Sequence, residues 1–400
     1  SVWLHLGALG PRRVLMQDEG WMPAPPYRLV DNPHTWLDIA DLVFIDPVGT
    51  GFSRATKAEY NEKFWHLQGD LQSVGDFIRL YLTRYGRWAS PLFLAGESYG
   101  TTRAAGLAGH LIDRGIAFNG IILISTTLNF QTLSFDQGND LPYTLFLPTY
   151  TATAWYHQRL PEDLQQRPLA DVLTEVTAWA EGEYTLALAQ GDRLPDAQRT
   201  AITQQLARYT GLDEAYIDGT NLRVLIHRFC KELLRDEKRT VGRLDSRFKG
   251  MDALAITEMP DFDPSLTAIT PPYTAMFNDY VRGELRYETD TEYQTLSFKV
   301  NGAWTWNRGR FADTSAALQK ALARNPFMKV FVGMGLYDLA TPPLATQYTL
   351  SHMQIDPAVR PNIQTAAYEA GHMFYLDVQS LAKLKADVTA FVDQAIGEEA

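Results

Sequence analysis

Three uninterrupted apolar runs constrain this chain more than any other feature: Leu42-Val43-Phe44-Ile45, Leu92-Phe93-Leu94-Ala95 and Ile121-Ile122-Leu123-Ile124. Each has the length of a strand, and none alternates with polar residues. That is the pattern of strands buried on both faces of a parallel sheet. Helical patterns lie between them: Leu67, Leu71, Val74, Ile78 and Tyr81 recur at helical spacing, and a small-residue helical stretch begins at Thr101. The alternation returns late in the chain. A helix near Ala316 to Ala323 leads to a strand from Met328 to Val332, a helix from about Leu344 and a strand from Ile363 to Tyr368. The last helix carries Leu381, Leu384, Val388, Phe391 and Ala395 on one face. The expectation is an α/β fold, a mostly parallel sheet flanked by helices.

From about Thr126 to Arg310 the alternation breaks. That stretch is rich in Tyr, Trp, Gln and Arg, with helical segments at about 161–190, 195–209 and 221–236. Pro260, Pro264 and Pro271-Pro272 read as loop punctuation. The chain of 400 residues is thus expected to form one large α/β core, 1–125 and 311–400, with a largely helical insertion over 126–310 and not a second sheet domain. The aromatic side chains of the insertion, among them Tyr150, Trp155, Tyr156, Tyr273, Phe277 and Tyr280, suit either packing within the insertion or a cap over a site.

A formal charge of −11 argues against nucleic acid or an anionic membrane as partner, since both reward clustered Lys and Arg. The single cysteine, Cys230, excludes an intrachain disulfide framework. It sits in an apparent helix, Val224 to Leu234, where a buried small hydrophobe is the expected reading. No apolar run reaches the ~18 residues of a membrane span. The chain opens on Ser1 without an initiator Met, so the lack of a signal peptide carries no information about compartment. No cofactor and no metal are expected, and oligomeric state is open.

The second apolar run leads straight into Gly96-Glu97-Ser98-Tyr99-Gly100. This is a G-x-S-x-G pattern in a strand–turn–helix setting, where glycines two residues either side of the serine leave room for a tight, strained turn that exposes Oγ. A serine nucleophile needs a base and an acid to orient that base. Where the order is Ser, acid, His, with each on a loop after a strand, only His352 and His372 lie late enough. His352 falls in the helical run Leu344 to Ile355. His372 directly follows a strand, with Gly371 allowing a sharp exit. The acid should follow the preceding strand, and Asp338 fits; Asp356 lies beyond a helix and fits poorly. Ser98 is then the nucleophile, His372 the base and Asp338 the orienting acid, and the backbone N–H of Tyr99 is one oxyanion donor.

These residues resemble the serine carboxypeptidase family, and within it a bacterial-type member. Gly-Glu-Ser-Tyr-Gly at 96–100 is similar to the family's nucleophile motif. Asp46-Pro47-Val48-Gly49-Thr50-Gly51-Phe52-Ser53 resembles a family loop, Tyr337-Asp338 and Gly371-His372-Met373 resemble its acid and base motifs, and Gly7-Ala8-Leu9-Gly10-Pro11 its Gly-Pro segment. The resemblance implies an α/β-hydrolase fold with a helical cap. It implies hydrolysis of the C-terminal peptide bond of peptide or protein substrates with a free C-terminus, through an acyl-enzyme. Glu97, protonated, would hydrogen-bond the substrate carboxylate, and Met373 would line the pocket near the leaving residue. A periplasmic or secreted location is favoured.

Two departures accompany it. The family's Asn-Gly-Gly-Pro-Gly oxyanion loop and the strand before it should precede Ser1, so an N-terminally incomplete chain is expected. Many members also carry an acid where this chain has Ala8, which leaves Glu97 one fewer reason to hold its proton, and an acid optimum milder than the family's is expected. The alternatives are an esterase or acyltransferase on the same scaffold, and a non-catalytic peptide-binding protein on a hydrolase fold.

Overall fold

The computed structural model describes residues 2–306 and 311–397; the expected insertion boundary at 310 lies outside the described residues. After a helical segment over residues 2–9 comes a short antiparallel pair, β1 (Arg12–Val14) and β2 (Leu29–Asp31). Helix α1 (Leu67–Arg84) then precedes β3 (Phe93–Ser98), α2 (Tyr99–Leu111) and β4 (Gly120–Thr126). A helical stretch follows: α3 (Leu141–Tyr156), α4 (Leu169–Trp179), α5 (Asp196–Thr210) and α6 (Ile226–Glu232). A two-residue antiparallel ladder, β5 (Thr240–Val241) and β6 (Lys249–Gly250), leads to the long helix α7 (Pro264–Gly283). The chain ends with α8 (Ser315–Arg324), β7 (Lys329–Gly335), α9 (Pro343–His352), β8 (Ile363–Tyr368) and α10 (Val378–Ile396).

Strands β3, β4, β7 and β8 form a four-stranded parallel sheet in the order β3-β4-β7-β8. All seven residues of β4 are buried, as a central strand without alternation requires. Successive side chains leave opposite faces of a strand, and β4 feeds two separate cores. Ile121 and Leu123 pack with Leu71, Val74 and Ile78 of α1, Ala105 and Leu111 of α2, and Leu318 and Leu322 of α8. Ile122 and Ile124 pack on the other side with Leu384, Val388 and Phe391 of α10. A third cluster joins α3, α4, α5 and α6 through Phe146, Tyr150, Val176, Tyr209, Phe229 and Cys230. Cys230 is buried there, and burial pushes its thiol far above the usual range.

Three expectations are corrected. Leu42–Ile45 forms no strand. The segment is partly exposed, Val43 at 43%, and a cleft of about 610 Å³ lined by Leu42, Phe44, Leu94 and Ala95 separates it from β3. Apolar residues stay in a strand only where the backbone finds a ladder partner, and this run has none among the described residues. The expected helix over 161–190 is several pieces, since Pro168 interrupts it and α4 starts just after. Pro264 and Pro271-Pro272 are not loop residues but members of the 20-residue helix α7. Pro264 occupies its first turn, where a missing N–H costs nothing. The Asp263 side chain caps the end by accepting from Ser265 N and Leu266 N. The two interior prolines are tolerated because Ile269, Tyr273, Phe277, Tyr280 and Val281 bury one face of α7 against Leu4, Leu6 and Tyr375; packing overrides propensity here.

Two substitutions test the sheet. Leu123→Ala, at a fully buried position, should destabilise the fold by about 2–5 kcal/mol, read as a lower urea midpoint at unchanged slope. Val43→Ala should cost less than about 0.5 kcal/mol. Comparable losses at the two positions would place Leu42–Ile45 inside the sheet.

Candidate active site

The elbow begins with steric need. A Cβ on Gly96 would lie 2.1 Å from the Gly100 carbonyl oxygen, whereas one on Gly100 would meet nothing within 4 Å. Only the first of the two expected glycines is demanded by the turn itself. The chain reverses at Ser98, which holds φ 55° and ψ −126°, a conformation that non-glycine residues rarely adopt and that stores strain. Hydrogen bonds to the end of β4 hold it there. Thr101 Oγ1 donates to Ser98 O (2.6 Å) and accepts from Thr127 N (2.9 Å), and Thr102 Oγ1 donates to Thr127 O (2.7 Å). Tyr99 starts α2, so its backbone N–H is among the unpaired donors of a helix N-terminus. Its ring is packed edge-on to Trp304 (5.2 Å) with the Arg103 guanidinium 5.2 Å above it. Arg103 in turn is paired with the buried Asp70 at 2.8 Å.

Asp338 lies in the turn that follows β7. Its carboxylate is fully buried and receives four hydrogen bonds: Oδ1 from Ala340 N (2.7 Å) and Thr341 N (2.9 Å), Oδ2 from Thr341 Oγ1 (2.6 Å) and His372 Nδ1 (2.7 Å). Burial alone would raise this carboxyl. The adjacent His372 and the hydrogen bonds outweigh it and hold Asp338 below the usual carboxylate range. For the imidazole the balance is mirrored: burial lowers His372, but the Asp338 charge and hydrogen bond lift it above its ordinary value. His372 leaves β8 through Glu369-Ala370-Gly371, and Ser125 Oγ donates to its carbonyl at 2.5 Å. Nδ1 is engaged by Asp338, which leaves Nε2 as the nitrogen free to exchange a proton.

Ser98, Asp338 and His372 therefore all stand at or just beyond the carboxyl ends of strands in one parallel sheet, β3, β7 and β8. The acid and base are joined. The Ser98 hydroxyl makes no hydrogen bond among the described residues, and in unliganded sites such contacts commonly tighten only with substrate. His352 and Asp356, the rejected candidates, are both exposed.

Glu97 points to a different neighbour. Tyr375 OH donates to Glu97 Oε1 at 2.7 Å. Burial raises the Glu97 carboxyl, and the opposing influence of His372 and of the Tyr375 hydroxyl does not cancel it. Met373 is 7% exposed within the cluster of Tyr273, Phe374 and Tyr375. Ser125, Thr341 and Tyr375 escaped the sequence reading. Each is a common residue in no motif, and only tertiary folding brings it to the site. The Asp46 loop is self-tied: Asp46 Oδ2 accepts from Phe52 N (3.2 Å) and Oδ1 from Tyr293 OH (3.1 Å).

The sequence model of the serine carboxypeptidase family matches residues 9–381. Among curated relatives, the pheromone-processing carboxypeptidase KEX1 of Verticillium alfalfae is 31% identical over 124 residues, 28% of this chain and 18% of that protein. Serine carboxypeptidase-like 51 of Arabidopsis thaliana is 31% identical over 115 residues, 26% of this chain and 24% of that protein. The first of these alignments thus spans less than a fifth of the relative's length. The crystal structure of a prohormone-processing carboxypeptidase from Saccharomyces cerevisiae superposes with a TM-score of 0.56 at 16% identity, covering 100% of this chain and 80% of that one. That likeness shows the shared α/β-hydrolase fold. With the family's pattern running through nearly all of its length, the chain belongs to the serine carboxypeptidase family.

Proposed function

We propose that this protein is a serine-type carboxypeptidase that removes the C-terminal residue of peptides through an acyl-enzyme. The observation that carries the reading is the placement of Glu97, a half-buried carboxyl directly beside the elbow serine that accepts a hydrogen bond from Tyr375 OH at 2.7 Å and is raised by burial. A protonated Glu97 donates a hydrogen bond to a substrate's terminal carboxylate, whereas a charged one would repel it. It thereby selects a free C-terminus at the point where Ser98 meets the last peptide bond.

Chemistry follows from the roles. Ser98 Oγ attacks the carbonyl carbon of the last peptide bond as His372 Nε2 takes the hydroxyl proton. The resulting oxyanion faces the Tyr99 N–H, which points at the developing charge from the N-terminus of α2. As the C–N bond breaks, His372 returns the proton to the leaving amine and an ester to Ser98 remains. Water then attacks the ester, His372 accepts its proton and gives it to Ser98 Oγ, and the shortened peptide leaves with a new carboxylate. Asp338 stays ionised throughout, fixing the imidazole tautomer and stabilising the imidazolium. Met373, beside Tyr375, is assigned to the wall near the leaving residue.

Peptides with a free C-terminus should be cleaved far faster than the same peptides amidated, and a fluorophosphonate should label Ser98 but not the Ser98→Ala variant. Equal rates on acid and amide, or turnover of esters alone, would exclude the carboxypeptidase reading. Asp338→Asn should lower kcat by about 10⁴-fold.

The two raised groups set opposite limbs of a pH profile. His372 must be neutral to act, so kcat/KM should fall as pH drops through its raised pKa. Glu97 must be protonated to bind, so KM should climb as pH rises through its own. Among the described residues, His372, Tyr375 and Asp338 act on Glu97, and Glu97 in turn raises Tyr273. In Glu97→Gln, KM for a free-acid peptide should become independent of pH on the alkaline side, as steady-state kinetics would read. A KM slope unchanged by the substitution would remove Glu97 from substrate binding.

A further inference from the structure

The acid and base sit on two separate loops, and a third segment reaches both. Residues 243–247 connect the short strands β5 and β6, far in sequence from either loop, and make five hydrogen bonds to them. Two go to the acid loop: Leu339 N donates to Arg243 O (3.1 Å), and Ser246 N donates to Tyr337 O (3.0 Å). Three go to the base loop: His372 N to Leu244 O (2.6 Å), Gly371 N to Asp245 Oδ2 (3.1 Å) and an Arg247 terminal N–H to Glu369 O (3.2 Å). Asp245 and Arg247 lock each other through a bidentate pair, 3.0 and 2.7 Å, and the guanidinium lies 5.5 Å over the Tyr337 ring.

The segment is itself anchored. Ser246 Oγ shares a hydrogen bond with Thr153 Oγ1 of α3 (2.6 Å), and Ser246 O meets His157 Nε2 (2.7 Å). The fit is close enough to fix a residue type. A Cβ on Gly371 would lie 2.4 Å from Asp245 Cβ and 2.5 Å from Leu244 O. Arg247 is only 5% exposed, so its charge is held by Asp245 and the Glu369 carbonyl, with Glu19 3.8 Å away. A bidentate guanidinium is the group suited to such a junction, because its planar fork fixes direction as well as charge.

We propose that Arg243–Arg247 is a splint that holds the Asp338 and His372 loops in register, with Asp245 and Arg247 as positioning residues for the base. Neither touches the reacting atoms; each acts through the backbone just before His372, Arg247 at Glu369 O and Asp245 at Gly371 N. The inference rests on the Ser98–His372–Asp338 reading given above.

The test compares the full chain with Arg247→Ala, Arg247→Lys and Asp245→Asn. Arg247→Ala should lower kcat by about 10–100-fold while KM stays within about twofold, since an ångström of misplacement costs roughly that much in rate. Fluorophosphonate labelling of Ser98 should slow by the same factor. The far-downfield proton resonance of His372 Nδ1–H should broaden or vanish, a signature that simple destabilisation leaves in place in the folded fraction. Arg247→Lys keeps the charge but not the fork, and should fall between. If Arg247→Ala does not fold, Arg247→Lys and Asp245→Asn, which nearly preserve the buried volume, decide by the same readouts. Variants that label at the wild-type rate with the resonance intact would overturn the splint, as would losses that track the folded fraction alone. A wild-type chain that is not labelled at Ser98 would instead overturn the triad reading, and the splint with it.

Discussion

The Asp338 carboxylate has no solvent exposure and is held by two backbone N–H groups, the Thr341 hydroxyl and His372 Nδ1. A charge taken out of water costs several kcal/mol unless nearly all its acceptor sites are met. That requirement organises the site. The turn after β7 must fold back so that Ala340 and Thr341 present their N–H groups. β8 must run beside β7 and in parallel, so that the loop carrying His372 emerges at the same edge. The registered pairing of Val330 with Ile363 through Gly335 with Tyr368 does this. Sheet topology and site electrostatics are therefore one constraint and not two.

Those parts of the molecule that follow from local rules were legible in the sequence. A central strand buried on both faces is mostly apolar along its length, so Ile121–Ile124 is visible as a run, with the buried polar Ser125 and Thr126 confined to the carboxyl end of the strand. Ser98 was visible because the elbow combines a short-range steric demand with a strand before it and a helix after. The reason for one glycine changed, however. Gly371 is needed less for a sharp exit from β8, since its φ is not positive, than for the approach of Leu244 and Asp245. The residue type was informative, while the cause lay about 126 positions away.

What stayed hidden depends on partners distant in sequence. Helix α3 is buried around nearly its whole circumference from Pro142 to Ala154, so it shows no amphipathic stripe to read. Helix α7 contains prolines that argue against a helix locally and is held by its buried aromatic face instead. Leu42–Ile45 erred in the other direction: its composition suits a strand, but a strand is a property of two segments. The edge of β3 that faces it is separated from it by the cleft lined by Phe44 and Leu94. Apolar composition specifies burial, and the ladder has to be supplied from elsewhere.

Glu97 and His372 make opposite demands on pH, and the fold lifts both for different reasons. Glu97 is raised by burial, a cost to its charged form that the Tyr375 hydroxyl reduces but does not remove. His372 is raised by the Asp338 charge, against burial. In the proposed reading, the first shift widens the range in which a substrate carboxylate would be accepted, and the second narrows the range in which the base would be neutral. Because each group also feels the other's charge, their titrations are coupled, and the limbs of a rate profile belong to the pair. Glu97 is itself only half-buried and lines the same cleft as Phe44 and Leu94, so in the proposed reading the upward shift of its carboxyl, which comes from burial, depends on how far water enters this edge of the site.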